Sequence, residues 1–150
     1  ACCVDGPEHA ENVYHTFREF SRVLKKDGLF LMSYPNYSNI ESRIRNVFYG
    51  ILEPVEPYNP KDHKNNGHIS RPPYALLKMA LNYAGLEIES IESEKTKYNQ
   101  LFLLPVAMML FLFTKIKGEK GRQKYWLSES NSWKILMGGN GLIIGSRKVR

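Results

Sequence analysis

The sequence predicts an α/β domain that opens on a parallel βαβ unit, and three consecutive stretches carry that prediction. "ACCV" (1–4) is apolar, too short for a helix, and reads as a buried strand end. "AENVYHTFREFSRVLKKDG" (10–28) places Val13, Phe17, Phe20 and Leu24 at i, i+4, i+7 and i+11, one face of an amphipathic helix. "LFLMSY" (29–34) follows as a second buried strand, ended by Pro35 and Asn36. Links this short between strand, helix and strand imply a right-handed crossover with the two strands parallel.

In the helix, Glu11 lies near the start and Lys25 and Lys26 near the end, as the helix dipole prefers, and Gly28 is the expected stop. His15 is expected to face solvent. Residues 37–70 form an insert with three prolines (Pro54, Pro57, Pro60) and "KNNG". A long loop in a compact domain is often a lid or binding segment. Within it "SNIESRIRNVFYGIL" is expected to be helical, with Ile40, Ile44, Val47 and Phe48 on one side. "SRPPYALLKMALNYAG" reads as a helix with Ser70 as N-cap, Pro72 and Pro73 in the first turn and Gly85 at the stop. "LEIESIES" (86–93) alternates as a half-buried strand does, and "NGLIIGSRKV" (140–149) is the final strand.

Between them, residues 99–138 form a second, apolar-then-basic insert. "LFLLPVAMMLFLF" (101–113) is an unbroken apolar run of thirteen, shorter than the ~20 residues of a membrane span. It reads as a core helix or dimer surface with a solvated basic loop behind it. The competing reading is peripheral membrane contact through 101–124, because "TKIKGEKGRQK" (114–124) would suit anionic headgroups.

The length of 150 residues fits one domain, and 43% hydrophobic residues suffice for a core. Cys2 and Cys3 are adjacent and imply no disulfide framework, so a reducing, cytoplasmic setting is the default, with both expected as small buried residues. No zinc-finger spacing and no signal peptide is visible. The net charge of +6 favours an anionic partner. A start at Ala1 directly in an apolar run suggests a fragment of a longer chain.

Asp5, Glu8 and His9 follow the first strand. Two carboxylates and an imidazole this close could bind a divalent cation. Alternatively Glu8 and His9 serve the helix start, or His9 is a general base without a metal. Tyr34, Pro35, Asn36 and Tyr37 follow the second strand, where loops commonly bind substrate; the competing reading is a plain strand-ending turn.

Taken together, Asp5, Glu8-His9, Arg22-Val23-Leu24-Lys25, Gly28 and Pro35-Asn36 resemble the second half of class I S-adenosylmethionine-dependent methyltransferases. "GHIS" and "YALLKMALNYAGLEIESI" resemble that family's next helix and strand. The resemblance covers about residues 1–93 and, more loosely, the last strand. It implies a Rossmann-like, doubly wound sheet, partial here, mostly parallel with an antiparallel last strand. It further implies S-adenosylmethionine as methyl donor, lying across the carboxyl ends of the strands. Val4, Asp5 and Gly6 would then meet the cofactor, Glu8 and His9 would be catalytic, and Pro35, Asn36, Tyr37 and His68 would meet the substrate. Relatives with an acid-x-x-Glu-His set imply a metal on Asp5, Glu8, His9 and His68. His63 lies near the last of these. The family's glycine-rich loop has no counterpart: "GGNG" (138–141) and "GEKG" (118–121) do not link a strand to a helix. The expected acceptor is a small molecule, a lipid-like molecule or an RNA hydroxyl. The rival reading is a non-catalytic module that binds anionic surfaces, membrane or RNA, through 114–124 and 146–150.

Overall fold

The computed structural model describes residues 1–54, 67–95, 97–124 and 126–150. Part of the 37–70 insert, with His63, lies outside the described residues. In chain order the elements are β1 (Cys2–Cys3), α1 (Val13–Val23), β2 (Leu29–Pro35), α2 (Ile40–Tyr49), α3 (Tyr74–Tyr83), β3 (Leu86–Ser93), α4 (Leu104–Ile116), α5 (Glu119–Lys124), α6 (Leu127–Ser130), α7 (Trp133–Leu136) and β4 (Gly141–Lys148). Short 3-10 turns precede α1 at Pro7–His9 and α4 at Tyr98–Leu103.

The strands form one sheet in the order β1-β2-β4-β3. β1 pairs with β2 in parallel, as the βαβ reading requires. β4 slots between β2 and β3 and runs antiparallel to both, from Leu29↔Arg147 to Pro35↔Gly141 on one side and Leu86↔Lys148 to Ser93↔Leu142 on the other. Alternation decides which face is covered. Phe30, Met32 and Tyr34 of β2 are buried together with Leu142 and Ile144 of β4, under Phe17 of α1 and Leu77 and Leu81 of α3. On the opposite face Leu29, Leu31 and Ile143 are exposed.

α1 begins where Asn12 Oδ1 accepts the His15 N–H at 3.0 Å, a cap that satisfies one free donor of the first turn. It ends at Val23, earlier than the lysines suggested, so Lys25 and Lys26 fall in the following turn. Lys148 of β4 takes over their expected role, donating from Nζ to Ser21 O at 2.7 Å and Leu24 O at 2.8 Å. Asp27, at φ 60°, holds the left-handed position assigned to Gly28. Gly28 is needed for space instead, since a Cβ there would come 2.8 Å from Lys25 O.

Several expectations change. Cys2 is exposed and Cys3 half-buried, because β1 has a partner on one side alone among the described residues. Ile40 is buried and Ile44 packs beside it, but Val47 and Phe48, on the last turn of α2, are exposed. Ser70 does not cap α3. The helix starts at Tyr74 after Pro73, and Ser38 Oγ accepts the Tyr74 N–H at 2.7 Å, so the cap comes from the turn after β2. Gly85, at φ 74°, does stop the helix, in a conformation that glycine adopts without strain. The apolar run is not a core helix: of α4, Ala107 is buried against Ile40, Leu136 and Met137, Thr114 is buried beside Asn131, and most of its large side chains face outward.

Candidate functional site

The carboxyl ends of β1 and β2 lie side by side, so the segments that leave them share one rim. Pro7 opens the 3-10 turn after β1 and is buried with Glu8. The turn is locked from the far side of the chain: the Glu8 carbonyl accepts the Ile69 N–H at 2.8 Å and the Ser70 N–H at 2.9 Å. Those two bonds bring the neighbouring His68 to the site, so "GHIS" meets "PEH" through backbone pairing.

Glu8 is 1% exposed, yet neither carboxylate oxygen has a hydrogen-bond partner among the described residues. Burial raises its pKa above the usual carboxylate range, with Asp5 adding to the rise, while its own backbone N–H, His9 and His68 pull the other way. One donor atom each from Glu8, His9 and His68 lies within 4.8 Å of the others. The His9 and His68 rings meet edge-on with centroids 5.2 Å apart.

His68 is held in place. Its Nδ1 lies 2.8 Å from the Tyr37 hydroxyl oxygen and 2.8 Å from Glu53 Oε2. Arg71 Nε donates to the same Glu53 oxygen at 3.2 Å. A neutral His68 protonated on Nδ1 donates to Glu53 and keeps the Nε2 lone pair, an arrangement typical of metal-ligating histidines. Tyr37 is 4% exposed, and burial first, then Glu53, pushes its hydroxyl pKa up, so it is a neutral hydroxyl throughout the working pH range.

A cleft of about 500 Å³ opens beside this cluster and is lined by Asp5, Glu8, Pro35, Asn36, Tyr37, Glu41, Arg45, Glu53, His68, Glu94 and Lys97, among others. The residues expected at the site divide in two. Glu8, His9 and His68 converge, and Tyr37 and Pro35 flank them. Asp5 lines the cleft but is engaged elsewhere: at φ 46° it accepts from Ser33 Oγ at 2.6 Å and donates its N–H back to Ser33 Oγ at 2.9 Å. It is outside the converging donor set. Asn36, 3% exposed, spends its side chain on structure, donating to Ile135 O at 2.9 Å and accepting the Ser38 N–H at 3.2 Å. Val4 points to solvent, and Gly6 sits against Cys3, where a Cβ would come 2.6 Å from Sγ.

Glu53 and Arg71 are neighbours of the cluster that sequence reasoning missed. Each stands alone in an irregular stretch with no spacing signal, and only the fold sets them beside His68. The same holds for Glu41, which forms the cleft wall and pairs with Arg45 (2.8 Å), Lys97 (2.9 Å) and Gln100 (3.0 Å).

The donor set fits a divalent cation. A buried carboxylate without a hydrogen-bond partner among the described residues, one exposed imidazole and one imidazole backed by a carboxylate are the nitrogen and oxygen ligands that such an ion takes, at about 2.0–2.2 Å.

No family model and no curated protein matches the chain by sequence. Solved structures do match it in shape. A SAM-dependent methyltransferase from Archaeoglobus fulgidus superposes with a TM-score of 0.50 at 16% identity, over 98% of this chain. A candidate methyltransferase from Bacillus halodurans gives 0.51 at 21% identity, over 99%. This chain spans 57% of the length of the first and 68% of the second. In this chain the cleft lies at the carboxyl ends of β1 and β2, where open α/β sheets hold their ligands. With its parallel strand pair and its inserted antiparallel last strand, the chain has the fold of a class I S-adenosylmethionine-dependent methyltransferase, in part.

Proposed function

We propose that this chain carries the acceptor side of a methyl transfer from S-adenosylmethionine, with Glu8, His9 and His68 at the acceptor's nucleophile. The observation that supports it best is the buried carboxylate of Glu8, without a hydrogen-bond partner among the described residues and close to two imidazoles, on the rim of a methyltransferase-type cleft. A hydroxyl nucleophile placed there loses its proton to an imidazole nitrogen of His9 or His68 as its oxygen attacks the methyl carbon. The new carbon–oxygen bond forms as the carbon–sulfur bond breaks, the sulfonium sulfur keeping that electron pair, and the products are S-adenosylhomocysteine and the methyl ether. Attack must be in line with the breaking bond, so positioning is the protein's main contribution. Tyr37 and Glu53 hold the His68 ring, and the Ile69 and Ser70 amides hold the Glu8 turn.

If a divalent cation is bound, Glu8, His9 and His68 are its ligands, and the chemistry it supplies is a lowered pKa for the acceptor hydroxyl. Calorimetry with S-adenosylmethionine tests the reading. Binding in the micromolar range, together with methyl transfer from labelled donor that His68→Ala abolishes, is the expected result. No donor binding, or transfer indifferent to His9→Ala and His68→Ala, overturns it.

A further inference from the structure

We propose that the outward face of α4 docks on an anionic lipid bilayer, lying in the interface plane rather than crossing it. Met108, Met109, Leu112, Phe113 and Ile116 recur at helical spacing on one side of α4 and are all exposed, Ile116 at 84%. Leu101 and Phe102, in the turn that feeds the helix, are exposed as well. Solvated apolar side chains collected on one helix face mark an interaction surface.

Charge identifies the occupant. From residue 101 to 118 there is no acidic residue, and Lys115 and Lys117 stand at the helix end with their ammonium groups 5.3 and 5.0 Å from the rings of Phe111 and Phe113. Lys120, Arg122 and Lys124 follow on α5, with Glu119 as the single acid. An apolar helix face with a cationic border matches acyl chains beneath anionic headgroups, each lysine or arginine near such a surface adding to the attraction.

The 19 residues Tyr98–Ile116 are long and apolar enough to cross a membrane. The polar ties on their inner side argue for the interface. Asn131 Nδ2 donates to Thr114 Oγ1 at 2.8 Å, Gln100 Nε2 donates to Glu41 Oε2 at 3.0 Å, and Lys97 pairs with Glu41 at 2.9 Å. Crossing would strip the helix of those partners and carry Thr114 and Gln100 into hydrocarbon; lying flat keeps them. Glu41 also lines the cleft, so a docked α4 sets the cleft wall close to the bilayer.

Co-sedimentation of the chain with phosphatidylcholine vesicles, with and without phosphatidylglycerol, tests this. Binding is expected only with the anionic lipid, and it weakens as salt rises. Lys115→Glu/Lys117→Glu is expected to cost at least about thirty-fold in partition coefficient, at roughly five-fold per cation lost. Met109→Asp/Leu112→Asp, both exposed and so compatible with folding by circular dichroism, is expected to abolish binding. Absence of wild-type binding to anionic vesicles at low salt overturns the proposal. So does unchanged binding by the Met109→Asp/Leu112→Asp variant. A wild-type dimer that this variant dissociates, without vesicle binding, assigns the face to a second copy of the chain and equally overturns it.

Discussion

Glu8→Gln is expected to stabilise the fold. The native Glu8 side chain is 1% exposed, and neither carboxylate oxygen has a hydrogen-bond partner among the described residues, while two amides from Ile69 and Ser70 pin its backbone carbonyl. Leaving a buried polar group unsatisfied costs about 1–3 kcal/mol, and more when it is charged. His9 and His68 offset part of that. Removing the charge while keeping the shape should therefore recover about 2 kcal/mol, a rise in Tm of about 4–8 °C at roughly 2–4 °C per kcal/mol for this size. The sign with pH follows from the raised pKa. Native Glu8 holds its proton at pH values where the unfolded carboxyl has lost it, so the folded state binds more protons in that window. Its contribution to stability is thus fully present below the ordinary carboxylate pKa and falls as pH rises through the raised one. Thermal melts from pH 4 to 8 should show wild type losing ground to Glu8→Gln with rising pH and saturating above the native pKa. Added Mn²⁺ or Zn²⁺ should close the gap by stabilising wild type alone. A Glu8→Gln protein less stable than wild type, or a gap that does not vary with pH, refutes the reasoning.

Arg43 is half-buried and has no carboxylate partner among the described residues. It spends three donors on Ser38 O (2.8 Å), Asn131 Oδ1 (2.5 Å) and Ser130 O (2.5 Å), and burial pushes its pKa down to about 10. Arg43→Ala, which leaves those acceptors unpaired, should cost about 3 kcal/mol in urea unfolding, and a loss below about 1 kcal/mol would show the α2–α6 tie to be incidental. At Gly138 a Cβ would lie 2.1 Å from Lys134 O and 3.1 Å from Asn36 Nδ2. Gly138→Ala should cost at least about 1–3 kcal/mol by overpacking, and an amide exchange experiment should show lost protection where Asn36 N–H meets Asn140 O.

The βαβ opening was legible because period and length agreed: Val13 and Phe17 are buried, and Phe20 and Leu24 pack against that core. The rim was legible in part. Glu8, His9 and Tyr37 follow from their places at strand ends, and His68 from the resemblance. What escaped was long-range: Ser33 claiming Asp5, Ser38 capping α3, Lys148 closing α1 and Glu53 seating His68. A cap or ligand from a distant element leaves no local spacing to read. Val47 and Phe48 misled for a related reason, because helical periodicity marks a shared face and not what covers it. The apolar run misled in the same way, since hydrophobicity alone does not separate a core helix from one whose outer side is bare.

The place of β4 sets the order in which this domain can be finished. β3 has no partner except β4 among the described strands, and β2 on that side has none either. Until the residues of β4 are made, a nascent chain carries two strands with unpaired edges facing a gap one strand wide, and the core layer of Phe30, Met32 and Tyr34 lacks Leu142 and Ile144. The residues of β4 act as a keystone: their insertion joins β3 to the β1–β2 pair in one long-range step, and any factor that delays it leaves both edges open to other chains.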